Sequence, residues 1–134
     1  VVRLSQTTSD KALEARVLLV DSVGLLASIY RYGKLAIVGG GFGKGIHNIL
    51  EPAVYGIPVI IGPKYSKFYE AVTMNNLTLI HPVADFEAFK IIIEKYLYNK
   101  EYLAQQSKKI TAFVEGQLGA TEVVLQAIEA KLVN

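Results

Sequence analysis

The stretch Ile37-Val38-Gly39-Gly40-Gly41-Phe42-Gly43-Lys44-Gly45-Ile46-His47-Asn48-Ile49-Leu50-Glu51-Pro52 places five of the chain's eleven glycines within seven positions. Glycine loses more backbone freedom on folding than any other residue, so such density signals positive φ angles or a ligand lying against the backbone. On its amino-terminal side, Leu35–Val38 is a short apolar run of strand character. On the other side, Pro52 is tolerated in a helix only within the first turn, which places the helix start near Ile49 and puts Glu51 in that turn. A strand, a glycine loop and a helix in this order point to the carboxyl rim of a parallel sheet, where ligands bind. The N–H groups and dipole of a helix beginning there would favour a phosphate, with Lys44 adding one positive charge. The stretch also reads as a Gly-rich turn with no chemical role.

Outward from this centre, Val17–Val20, Val59–Ile61 and Leu77–Ile80 are similar runs, and Val1–Leu4 reads as a truncated fifth. Unbroken β-branched runs are the signature of strands buried on both faces. Helical stretches separate them. Asp21 and Ser22 offer a cap to a helix carrying Val23, Leu26, Ala27 and Tyr30, a second helix follows the glycines and stops near Gly56, and a third spans about Ser66 to Met74. Alternating strands and helices predict an α/β fold, a Rossmann-like parallel sheet flanked by helices. The last third is helical. Apolar residues recur at helical spacing around Phe86–Tyr96, Leu103–Val114 and Val124–Leu132, with Asn99 and Gly116 as terminators.

Composition removes several function classes. Of 134 residues, 14 are Lys or Arg and 12 Asp or Glu, a net +2 that gives no strong field toward nucleic acid or anionic lipid. With no Cys, disulfide scaffolds, Cys-based zinc sites and thiol nucleophiles are excluded. With only two His and no Cys, no metal site is expected. No apolar run reaches the ~18 residues of a membrane span. The phosphate motifs fail as well. Every placement of G-x-G-x-x-G puts Lys44, Ile46 or Asn48 at the last glycine, and the P-loop pattern finds Ile46 where it requires Lys. A dinucleotide enzyme and an NTPase are thereby disfavoured.

The candidate residues divide into two loops. In the first, Glu51 could accept hydrogen bonds from sugar hydroxyls or merely complement the helix dipole, worth ~0.3–1 kcal/mol; His47 and Asn48 could cap the helix. In the second, Gly62-Pro63-Lys64-Tyr65-Ser66-Lys67-Phe68 again follows a strand and precedes a helix, and Lys64 and Lys67 read as solvated lysines or as ligands. His81-Pro82 after the fourth strand reads as a surface or cap position. The chemistry on view is anion and sugar binding rather than acid–base catalysis.

Three motifs in order, V-D-S-x-G-x-L-x-x-I-Y from Val20, V-G-G-G-F-G-K-G-I-H-N-I-L-E-P-A-x-x-G-I-P-V-I-I-G-P from Val38, and K-F-x-E-A to Ala71, resemble the C-terminal half of 3-deoxy-D-manno-octulosonic acid (Kdo) transferases. The resemblance implies the C-terminal half of a GT-B glycosyltransferase, in which two Rossmann-like domains face each other and this one holds the sugar donor. It implies transfer of Kdo from CMP-Kdo to the lipid A precursor at the cytoplasmic face of the bacterial inner membrane, with no metal and no cofactor beyond the donor itself. Carried over by position, Gly40, Gly41, Phe42, Gly43, Lys44 and Gly45 would wrap the CMP phosphate, with Ile46 in the same turn and His47 and Asn48 flanking it. Glu51 would hold the ribose, Gly62 and Pro63 would border the cleft, and Lys67 would lie near the sugar carboxylate.

The chain departs from the family pattern at Leu25, where many members have Glu, at Ile46, where many have Gly, and at Lys67, where many have Asn. Read this way, residues 1–134 are one CMP-sugar donor-binding domain, a soluble fragment inactive by itself. The acceptor domain, the membrane contact and the catalytic general base would belong to a missing N-terminal half, so no catalytic residue is expected here. Two other readings stay open: the donor domain of a UDP-sugar GT-B enzyme, and a non-catalytic flavodoxin-like binding module.

Overall fold

The computed structural model describes residues 1–132; Val133 and Asn134, the end of the expected domain, lie outside the described residues. The chain divides into two compact units, Val1–Gly33 and the remainder from Lys34.

In the first unit, β1 (Val2–Arg3) pairs in parallel with β2 (Leu18–Leu19) across α1 (Ser9–Glu14). The run Val17–Val20 thus forms a strand, but in a two-stranded ladder separate from the main sheet. Such a ladder consists only of edges, and Leu18 and Leu19 are accordingly 43% and 45% exposed rather than buried on both faces. The helix expected after Asp21 shrinks to α2 (Leu26–Ile29), whose first turn receives no side-chain cap. Asp21 is engaged elsewhere. Its Oδ1 accepts from the Ser5 N–H at 3.1 Å and its Oδ2 from the Ser5 hydroxyl at 2.7 Å. Those hydrogen bonds hold its carboxyl below the usual range.

The second unit carries the parallel sheet in the order β3 (Ala36–Val38), β4 (Val59–Ile61), β5 (Ile80–Pro82). Val59, Ile60 and Ile61 are all buried, as a central strand covered on both faces requires. On the edge strand β3, Ala36 and Val38 are buried while Ile37 is 61% exposed, so the expectation of two covered faces fails there. Between β3 and β4 lies α3 (Leu50–Ala53), one helical turn that follows Ile49 and is closed at Gly56. Gly56 has φ +67, the left-handed conformation expected of a stop residue.

Between β4 and β5 runs α4 (Tyr69–Asn76), which starts three residues later than the sequence suggests because Gly62–Phe68 folds as a separate loop. β5 is likewise displaced toward the carboxyl end. Leu77 ends α4, Thr78 turns with φ 56, and the Leu79 N–H closes onto the Met74 carbonyl at 2.8 Å, consuming the front of the expected strand. The core between sheet and helices is built from Ile49, Ala53, Val59, Ala71, Met74 and Ile80, each at most 1% exposed.

The helical tail follows as predicted: α5 (Phe86–Tyr98), α6 (Lys100–Gly116) and α7 (Ala120–Leu132). Asp85 and Asn99 cap α5 and α6, accepting from the Ala88 and Tyr102 N–H groups at 2.8 Å each. Tyr96 on α5 docks against β5, its hydroxyl oxygen 2.6 Å from His81 Nε2. Burial, then neighbouring Tyr102, pushes the Tyr96 hydroxyl far up, and burial, then the Lys95 charge, pushes His81 down.

Candidate functional site

Because β3, β4 and β5 are parallel, the loops leaving them open on one rim. The glycine loop leaves β3 and Gly62–Phe68 leaves β4, and they meet directly: the Lys64 N–H donates to the Gly41 carbonyl at 3.0 Å. The contact is backbone on backbone. A Cβ added at Gly41 would lie 2.8 Å from the Gly62 Cα, so both glycines are required for the loops to touch. Gly41 and Gly62 are buried in this contact, and their side of the loops faces each other rather than solvent.

Within the first loop the chain folds back on itself. The Gly40 carbonyl accepts from the N–H groups of Gly43 at 2.9 Å and Gly45 at 3.4 Å, and the Gly39 carbonyl from His47 at 3.1 Å. Gly40 adopts φ +92, with the His47 ring so close that an added Cβ would meet its Cδ2 at 3.1 Å. Gly45 is crossed by the Phe68 ring, whose Cε2 would lie 2.9 Å from a Cβ there. This internal bonding leaves the N–H groups of Phe42, Lys44 and Ile46 without a protein acceptor among the described residues.

The helix expected to complete a phosphate seat is the four-residue turn α3. Its aligned dipoles are too few for a substantial macrodipole, so the loop amides and lysines carry the site's positive character. Asn48 performs the capping role, its Oδ1 accepting from the Leu50 N–H at 2.9 Å. Its Nδ2 donates to Glu51 Oε1 at 3.1 Å, which fixes the carboxylate at the edge of the loop with its other oxygen uncommitted. Ile46 is buried, at 6% exposure.

Two pockets flank the loop. One, of about 280 Å³, is lined by Lys44, Pro63, Lys64, Ser66, Lys67 and Phe68, and so joins the two candidate loops. The other, about 340 Å³ and almost wholly apolar, is lined by Ile37, Phe42, Ile60, Val83, Phe86 and Phe89 among others. His47 and Glu51 line neither. The apolar pocket's α5 side was missed in the sequence; the signal was there, since Val83–Asp85 also leaves a strand at the same rim. Among the described residues no group of three or more His, Asp and Glu could hold a metal, and no helix is long and apolar enough to cross a membrane.

A glycine loop at the carboxyl rim of a three-stranded parallel α/β sheet, with a carboxylate one turn further on, is the arrangement of the C-terminal half of a GT-B glycosyltransferase. No family model matches the chain. It is 52% identical over 59 residues, 43% of its length, to the 3-deoxy-D-manno-octulosonic acid transferase of Aquifex aeolicus. Over 123 residues, 85% of its length, it is 30% identical to the transferase of Chlamydia pneumoniae. The chain spans only 17% and 27% of the length of these two enzymes. A crystal structure of the C-terminal CMP-Kdo binding domain of WaaA from Acinetobacter baumannii superposes with a TM-score of 0.62 at 28% identity, covering 75% of this chain and 58% of that one. The chain is a relative of the Kdo transferases, and over 75% of its length it shares the fold of that C-terminal domain of WaaA.

Proposed function

We propose that this chain binds the CMP-Kdo donor of a glycosyltransferase that moves Kdo onto the lipid A precursor at the cytoplasmic face of the inner membrane. The observation that supports this reading is the glycine loop at the sheet's carboxyl rim, whose Phe42, Lys44 and Ile46 N–H groups have no acceptor among the described residues. Unengaged backbone donors held in place by the loop's own hydrogen bonds suit a phosphate. In the transfer, CMP departs with developing negative charge. Preorganised donors of this kind stabilise such a leaving group, and removing one typically costs ~10²–10³ in rate.

Glu51, steadied by Asn48, grips the ribose hydroxyls in this reading and positions the donor. His47 and Asn48 flank the phosphate turn, Pro63 borders the cleft, and Lys67 faces the sugar's carboxylate. The lipid acceptor and the membrane are met by the part of the transferase that this chain does not span.

The test is a titration with CMP followed by amide chemical shifts. Gly39 to Glu51 should move; a spectrum unchanged at millimolar CMP refutes the reading. In a full-length enzyme, Glu51→Ala should weaken donor binding and leave acceptor binding intact. Equal loss of both would refute the ribose assignment.

A further inference from the structure

We infer that Phe68 is a positioning residue for the nucleotide's phosphate: its ring, laid on Gly45, holds the Lys44 and Ile46 N–H groups in place and acts through that backbone. The inference rests on the donor-binding reading above and adds to it the side chain that keeps the loop in shape.

The glycine loop is tied unevenly. The Gly43 N–H reaches the Gly40 carbonyl at 2.9 Å and the His47 N–H reaches the Gly39 carbonyl at 3.1 Å, but Gly45 reaches Gly40 only at 3.4 Å. That last bond is longer than the ~2.7–3.2 Å usual for an N–H donor and oxygen. Gly45 also has φ +154, and an unrestrained glycine visits positive and negative φ about equally. Its two chain neighbours, Lys44 and Ile46, are among the residues whose N–H groups have no acceptor among the described residues. The weakly bonded glycine thus sits between two of the donors a phosphate needs. What restrains it is the ring. A Cβ at Gly45 would lie 2.9 Å from Phe68 Cε2 and 3.0 Å from Cζ, inside the ~3.5–4.0 Å of carbon contact, so the ring rests on bare backbone.

Phe68 is itself fixed from behind. It precedes α4 without giving that helix a side-chain cap, and it is only half-buried, so neither capping nor the core accounts for its ring. Its N–H donates to the Tyr65 carbonyl at 2.9 Å, and its carbonyl accepts from the Val72 N–H at 3.0 Å. The Tyr65 hydroxyl accepts from Asn75 Nδ2 at 2.9 Å, which ties the second loop to the end of α4. With the Lys64 N–H bond to the Gly41 carbonyl, the second loop grips the glycine loop at both ends, Gly41 and Gly45. The Phe42 and Lys44 amides lie between the two grips. Donors held in this way need no rearrangement when an anion arrives.

The experiment uses this chain and two probes that differ only in the phosphate, CMP and cytidine, with nitrogen relaxation of the free chain. Phe68→Leu keeps an apolar side chain, and its melting temperature is compared with that of the wild type. It should lower CMP affinity roughly tenfold, the equivalent of one charge-assisted hydrogen bond, and leave cytidine affinity unchanged. In the free chain the order parameters of Lys44–Ile46 should fall from the ~0.85 of rigid backbone toward ~0.6. Equal losses of CMP and cytidine, or an unchanged CMP affinity, overturn the inference while the nucleotide site stands. If CMP does not bind the wild-type chain, the donor reading falls and relaxation alone judges the brace: loosened amides in Phe68→Leu uphold it, and amides as rigid as before overturn it. Should Phe68→Leu not fold, Tyr65→Phe takes its place, removing only the hydroxyl that Asn75 holds. It should show the same pattern at about threefold, and an unchanged CMP affinity there overturns the brace.

Discussion

Gly41→Ala and Gly43→Ala make a paired test of how the rim is built. The two glycines are two positions apart in one loop, and sequence alone gives both the same task. An added Cβ at Gly41 would lie 2.8 Å from the Gly62 Cα, far inside the ~3.5–4.0 Å of ordinary carbon contact, and the obstacle is backbone that cannot rotate away. The two loops must part by on the order of 1 Å. Overpacking of this sort costs about 1–3 kcal/mol, and stretching the Lys64 N–H bond to the Gly41 carbonyl adds about 1 kcal/mol. A total of about 2–4 kcal/mol lowers the melting temperature of a chain this size by roughly 6–15 °C. At Gly43 the nearest atom to an added Cβ is the Gly40 oxygen at 3.6 Å, ordinary contact, and no positive φ is involved. Gly43→Ala should melt within about 2 °C of the wild type, as surface changes within ±0.5 kcal/mol do. Calorimetric melting of both variants decides the matter. Equal melting temperatures would refute the claim that Gly41 and Gly62 meet backbone to backbone.

Two further outcomes follow from the tail. His81 is held neutral by burial and by the nearby Lys95 charge, so its folded pKa lies below the ordinary 6.5 of the unfolded chain. As pH falls through 6.5 the unfolded chain takes up the proton first, so stability present above that value is lost toward the depressed folded pKa. A His81→Gln variant should show a flatter melting temperature against pH over that window, and an unchanged slope would remove His81 from the account. Asp85→Ala removes the α5 cap and should cost about 1 kcal/mol by urea unfolding, whereas a loss below the error of the measurement would show that the Ala88 N–H finds water equally well.

Much of this molecule could be read from its residues where the signal was local. Val59–Ile61 is a strand over those same residues, Asn99 and Gly116 separate the tail helices, and Pro52 with Gly56 brackets α3. What escaped was decided by contacts distant in sequence. Asp21 looked like a cap, but Ser5 offered it two donors. Leu77 and Thr78 looked like a strand, but the end of α4 needed them to turn back. At the site, glycine density marked the correct loop without revealing which glycines serve packing and which leave amides open, because that depends on the second loop arriving alongside. Lys64 could not be told from a solvated lysine until the loop contact placed it beside Lys44 and Lys67.

The brevity of α3 has a consequence for how the rim would behave in solution. A long helix presents a fixed dipole to an anion, whereas a single turn leaves the long-range part of the attraction to the lysine ammonium groups beside the loop amides. Attraction of that origin fades as ionic strength rises. Occupancy of this rim by any charged ligand is thus tied to the electrolyte around it, and affinities measured in dilute buffer will overstate those at cellular salt.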